Sequence, residues 1–485
     1  MNNVYSLGAL RFNRSAPFAL VSSDETANLR LGLGGITALA PVASVGVTNT
    51  LAAPITLFYG HECQIASNQT LAVTGRISGG TPTNSFVKTG DGTLYLTGTN
   101  TFESPLVLSN GLVLVNNGTA LGNPTNTITV YRPTSTLPTA VANRGPLYFT
   151  DMVATNNRPL IFGSAIYYIG QMYPKDGTLV LNGKVTFLGG ERIDNQGTLV
   201  FRGGFDCSSA DPWMQTMPGY VTRFEERPIN MGSRFLPADN SGTFFVSATN
   251  NTWGGLGLNS ATFLCGANFV MPTNSSVTFG QSWTQTGFVD LNGFDQQVKF
   301  INNNTANTAV TNMAVKSAAP ATLTLQGDAS TRTFIGYFTN KVSLCHRNTG
   351  TLAFTGRTSA STTAGDLRIE AGTVAFRSGA TWTGSTNINV TAGTLSVEGG
   401  SGATFGGNDS ARNITRLHLT SSSHVNLAAG ITDYVRSATL DGADLPVGTY
   451  GSTTSTAQYR SALFTGTGIL YVLRSEAPGT LISVR

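Results

Sequence analysis

Apolar residues in this chain fall at every second position over short stretches of four or five residues. Such alternation predicts β-strands with one face toward an interior. Long stretches with a helical period are absent, which excludes leucine-rich and helical repeats. The strands share a phrase. Gly92-Thr93-Leu94-Tyr95-Leu96, Gly177-Thr178-Leu179-Val180-Leu181 and Gly197-Thr198-Leu199-Val200-Phe201 are three copies. Gly350-Thr351-Leu352-Ala353-Phe354, Gly372-Thr373-Val374-Ala375-Phe376 and Gly393-Thr394-Leu395-Ser396-Val397 are three more, and Gly111-Leu112-Val113-Leu114 is a variant.

The spacing of these copies points to one architecture. Gly177 to Gly197 is 20 residues, Gly350 to Gly372 is 22, Gly372 to Gly393 is 21 and Gly92 to Gly111 is 19. A β-sandwich has no reason to repeat one phrase at a fixed interval. A coil whose every turn holds two or three strands does. The expectation is an all-β, right-handed parallel β-helix (β-solenoid) of about 20 rungs over residues 1–473, with residues 474–485 as a tail. At about 4.8 Å per rung such a stack is roughly 100 Å long. One rung alone loses more to chain ordering than its few apolar side chains return, so the rungs fold only together.

Composition supports this picture. The chain has 485 residues, only 11% of them charged, and 56 glycines. Like charges stacked at the rung spacing would repel, whereas Thr, Ser and Asn can exchange hydrogen bonds along a ladder. A net charge of +4, without any long basic run, gives little support to nucleic-acid binding. No apolar stretch is long enough for a membrane-spanning helix, so membrane insertion by this chain is not expected. Met1 to Leu10 carries neither a basic region nor a sustained apolar segment, so no export signal is read there. Cys63, Cys207, Cys265 and Cys345 are too far apart for a zinc site and read as isolated interior thiols.

The stretch Lys88 to Gly122 reads KTGDGTLYLTGTNTFESPLVLSNGLVLVNNGTALG. It resembles the autotransporter-associated β-strand repeat, also called the passenger-associated transport repeat. Gly92, Thr93, Leu94, Gly98, Asn100, Thr101, Phe102, Gly111, Leu112, Leu121 and Gly122 occupy the matching positions, while Ser104-Pro105 replaces a glycine pair. Val289 to Val298, Pro320 to Gly327 and Leu440 to Val472 are similar to further phrases of such proteins. The resemblance implies a secreted or surface-displayed bacterial passenger, adhesive or structural in role. Its partners would be a host or matrix surface glycan or protein, or further copies of itself in a filament or surface layer. Passengers commonly precede a membrane β-barrel. The pattern of many alternating strands that marks one does not follow the closing phrase, so export of the whole chain is the expectation.

Parallel β-helices also include polysaccharide lyases and glycosidases, whose sites need charged groups converging from neighbouring rungs. Aligning Gly350, Gly372 and Gly393 puts Asn348, Glu370 and Thr391 in one ladder, so Glu370 is expected between neutral neighbours and reads as a surface residue. The densest acids are Asp206, Asp211, Glu225 and Glu226, close in sequence to Trp213, Tyr220, Arg223 and Arg227. Ser208 to Thr222 breaks the rhythm and is expected to project as a loop, with Trp213, Tyr220, Arg223 and Glu225 as candidate ligand-binding residues. His418 and His424 are expected on different strands or faces. Gly399 to Gly407 lacks the Asp of a calcium-binding repeat and reads as a turn. No catalytic set, metal or cofactor is expected, and the chain reads as non-enzymatic, with a carbohydrate-active β-helix as the alternative.

Overall fold

The structure is a computed structural model. It describes all residues except 1–3, 23–26, 40–45, 132–144, 164–167, 190–191, 208–212, 239–241, 281–285, 305–311, 356–359, 400–402 and 476–485. The chain is a parallel β-solenoid of about 16 turns, fewer than the 20 expected. The turns are unequal in length: the step from Ile128 to Leu160 is much longer than that from Val185 to Phe205. Contacts group the chain into two compact units, Met1–Leu236 with Gly242–Phe244, and Pro237–Ser241 with Phe245–Arg485. A stack in which each rung touches only its neighbours divides readily in this way.

In the first unit most turns carry three strands, one on each of three faces. Ten parallel strands, from Leu10–Phe12 to Ile229–Met231, form the longest. A second face begins with Ala19–Leu20 and runs to Leu147–Phe149. A third begins with Val4–Leu7 and runs to Ile77–Gly79. The Gly-Thr-Leu phrases are strands in direct register, Thr178 on Thr198 and Leu181 on Phe201. In the second unit Thr351, Thr373 and Thr394 stack in the same way. The glycine of the phrase is a steric requirement. Gly372 has φ +58, and a Cβ there would lie 2.2 Å from the carbonyl oxygen of Asn348 in the rung below.

The interior is built from repeated contacts between equivalent side chains. Phe201 lies flat on Phe224 at 4.9 Å, Phe162 on Phe187 at 4.9 Å and Phe354 on Phe376 at 5.3 Å. The rung spacing of about 4.8 Å is near the separation that stacked rings favour. Residues of the Lys88 to Gly122 stretch have structural tasks. Asn100 accepts from the Ile77 amide and donates to the Ala120 carbonyl, tying three successive rungs. Phe102 is fully buried, and a Cβ on Gly122 would come within 2.8 Å of its ring.

Lys88, the first residue of that stretch, is also fully buried, above Cys63. Its ammonium donates to the carbonyls of Thr89, Gly90 and, one rung on, Asn110, at 2.8, 2.7 and 3.1 Å. Burial lowers its pKa to about 8, which leaves it charged at neutral pH. The four cysteines are buried and none forms a disulfide. No helix among the described residues is long and apolar enough to cross a membrane.

Two outcomes follow for stability. Phe102→Ala removes a buried ring from a site closed by Gly122, and a loss of about 3–5 kcal/mol is expected in denaturant melts. His346 is almost fully buried, and burial lowers its pKa to about 4. Between that value and its ordinary 6.5 the unfolded chain binds the extra proton, so stability should fall as pH drops from 6.5 to 4. The slope from this residue approaches about 1.4 kcal/mol per pH unit. His346→Gln should flatten that part of the pH profile in thermal melts.

Candidate functional site

The segment expected to project is, in its described part, a turn of the stack. Residues 208–212, including Asp211, lie outside the described residues. Trp213–Thr216 is a strand, with Trp213 beside Arg192 and Thr216 beside Asn195. The side chain of Trp213 lies outside the described residues. Tyr220 stands at the following turn, and its hydroxyl donates to Asp176 at 2.5 Å, a bond that raises its pKa. Val221–Phe224 then continues a different sheet. The candidate set is therefore divided between two sheets and the turn joining them. The missing phrase hid this: Trp213-Met214-Gln215-Thr216 keeps its rung place without Gly-Thr-Leu.

Arg223 and Glu225 are brought together. Glu225 accepts from Arg223 Nε at 2.7 Å and from Arg202 Nε at 3.1 Å, and Glu226 lies 3.6 Å from Arg202. Partial burial acts to raise the Glu225 pKa, but the two guanidinium hydrogen bonds outweigh it and hold the carboxyl below its usual range. A general acid needs the opposite. Asp206, on another sheet, pairs with Lys184 at 2.6 Å. Asp206 thus lies apart from Glu225 and Glu226 and has its own cation, while Arg202 serves both glutamates.

Glu370 corrects the expected ladder. His346 pairs with Ile369, so the next residue, Glu370, stands over Arg347 and not over Asn348. Arg347 Nε lies 2.7 Å from Glu370 Oε2, and this bond lowers the Glu370 pKa. The turn after Arg347 reaches Gly350 by one residue more than the turn after Glu370 needs to reach Gly372, so alignment on glycines slips by one. The same arrangement recurs. Arg377 pairs with Glu398 at 2.6 Å and Lys316 with Asp290 at 3.7 Å, each acid one rung from its base. The scarce charges alternate in sign along their ladders.

The most connected polar face lies in the second unit. Cys345, Arg368, Asn389, His418 and Thr439 form one outward ladder. Across it runs a chain of hydrogen bonds. Thr439 Oγ1 is 3.0 Å from His418 Nδ1, His418 Nε2 is 3.3 Å from Asn387 Oδ1, and Asn387 Nδ2 donates to Asp366 Oδ1 at 3.1 Å. With Asn387 Oδ1 facing it, Nε2 carries the proton and Nδ1 accepts from the Thr439 hydroxyl. Arg368 closes the far end, 3.7 Å from Asp366. No sequence motif marks this group, because its members come from rungs of unequal length. His424 pairs with Thr394 on another sheet, separate from His418. Among the described residues no three His, Cys, Asp or Glu side chains are grouped to hold a metal ion.

No family model, curated protein or solved structure matches this chain.

The ladder register has a direct test. Arg347→Glu puts like charges on adjacent rungs and should cost about 0.5–1 kcal/mol, and adding Glu370→Arg should restore most of it. Melting curves of the single and double variants distinguish this register from the glycine-aligned one, which predicts no such reversal.

Proposed function

We propose that this chain is an extracellular or cell-surface structural and adhesive protein, a bacterial passenger-like β-helix. The observation that carries the reading is the state of its outer polar groups. Glu225, Glu370 and Glu398 are all held as carboxylates by neighbouring guanidinium groups. The Asp366–Asn387–His418–Thr439 chain bonds to itself. Such a surface suits a stiff display scaffold. The likeness of Lys88 to Gly122 to the passenger repeat gives the same direction, and the buried tasks of Lys88, Asn100 and Phe102 explain why a solenoid would keep those residues. Adhesion would use exposed side chains at turns, and host or matrix glycans or proteins are the partners proposed.

A carbohydrate-active role is the second reading, and one observation favours it. Thr439 presents a hydroxyl to a histidine that Asn387 orients, and a base held by a third group is one element of nucleophilic sites. Self-assembly through strand edges is a third reading, tested by particle size at high concentration.

Purified chain coated on beads should adhere to matrix or cell-surface glycans and release no sugar product. His418→Ala should leave adhesion unchanged. Liberation of reducing or unsaturated sugars, abolished by His418→Ala, would replace the adhesive reading with the enzymatic one.

A further inference from the structure

A groove of about 380 Å³ opens on the first unit at the ends of the strands Val4–Leu7, Asn28–Leu31 and Ile55–Leu57. Its origin is a ladder of unusual contrast. Leu7, Leu31 and Leu57 stack in register, so the next ladder position holds Gly8, Gly32 and Phe58, with Gly80 beyond. The glycines leave a floor of bare backbone. The rungs are close there: a Cβ on Gly32 would lie 3.1 Å from the Leu7 carbonyl oxygen. Phe58 therefore rises as a wall with no side chain at the same ladder position on the adjoining rungs. Phe58 is 46% exposed and Tyr59 is 51% exposed, a large apolar area to leave in water.

The wall is fixed from behind. His61 is buried, and its Nε2 accepts from the amides of Phe58 and Tyr59 at 3.3 and 3.4 Å. Burial lowers the pKa of this ring, which favours the neutral form that can accept. The aromatic pair is thus carried on a turn whose backbone is already ordered, which reduces the entropy lost on binding. Opposite stands Arg30, exposed, with its guanidinium carbon 5.2 Å from the Phe58 ring centre. Among the described residues no carboxylate pairs with it, in contrast to Arg202, Arg347 and Arg377.

From these features we infer that the groove binds an anionic saccharide, one or two sugar units carrying a carboxylate. The volume is at the low end of small-molecule sites and suits a ligand of one or two sugar units. A single arginine matches one carboxylate in its planar fork, and no second cation lines the groove for a polyphosphate. Phe58 and Tyr59 offer flat faces to the C–H side of a sugar ring, and the Ser6 hydroxyl and strand-end backbone can meet its hydroxyls. This deepens the adhesive reading by naming a ligand class, and rests on it only for biological setting.

The test is calorimetric titration of the full chain with trigalacturonic acid. The methyl-esterified trimer and maltotriose serve as neutral controls, and a sulfated disaccharide separates sulfate from carboxylate. The acid should bind in preference to its ester. Tyr59→Ala should weaken binding about tenfold. Arg30→Gln should remove the preference for acid over ester. Both substitutions are at exposed positions and should leave the melting temperature unchanged, which shows that loss of binding is not loss of fold. No binding of any acidic saccharide, or undiminished affinity in both variants, overturns the inference. Adhesion that survives both substitutions would overturn the groove as the adhesive site and leave the adhesive reading standing. Saccharide binding without any surface adhesion would do the reverse.

Discussion

Everything in this protein depends on the close approach of one rung's backbone to the next. Parallel pairing sets a separation of about 4.8 Å, and each property of the chain follows from what can be repeated at that distance. Phenylalanine rings can be stacked, as Phe201 on Phe224 shows. Like charges cannot, so charged residues are few and alternate in sign, as Arg347 and Glu370 do. Turns must shed their side chains, so glycine recurs before Thr-Leu, and at Gly372 any Cβ would collide with the rung below.

The same constraint governs the polar surface. A side chain on an outward ladder has neighbours above and below at hydrogen-bonding range, so it is satisfied within the protein before any ligand arrives. Thr439, His418, Asn387 and Asp366 are linked in this manner. Positions free to recognise something else arise where the ladder is interrupted. Phe58 between glycines is one, since its ladder neighbours have no side chains and the ring stays half exposed. Arg30 is another, because its rung neighbours Ser6 and Thr56 carry no charge.

The fold was legible in the sequence because periodicity is a property of the interior. Gly177 and Gly197, or Gly350 and Gly372, mark rungs without any knowledge of what surrounds them. The register of surface residues was not. A single extra residue in the turn after Arg347 moved Glu370 from an apparent neutral neighbour to a cation. Trp213 keeps a strand position in the stack although the phrase that marks other strands is missing there. The links from Asp366 to Thr439 span rungs of different lengths, so no fixed spacing reveals them. The groove at Phe58 required knowing that Gly8 and Gly32 share its ladder, which follows from pairing and not from composition.

The burial of Lys88 bears on how such a chain assembles. Two of its carbonyl partners belong to its own turn, but the third, from Asn110, arrives only with the next rung. Until then the ammonium stands at an open end of the stack, in contact with water. Closing the next rung both completes its coordination and seals it from solvent. Growth past this point exchanges hydration for a fixed carbonyl in one step, and retreat demands the reverse. The residue therefore acts as a ratchet tooth, giving rung addition a locally preferred direction along an otherwise repetitive path.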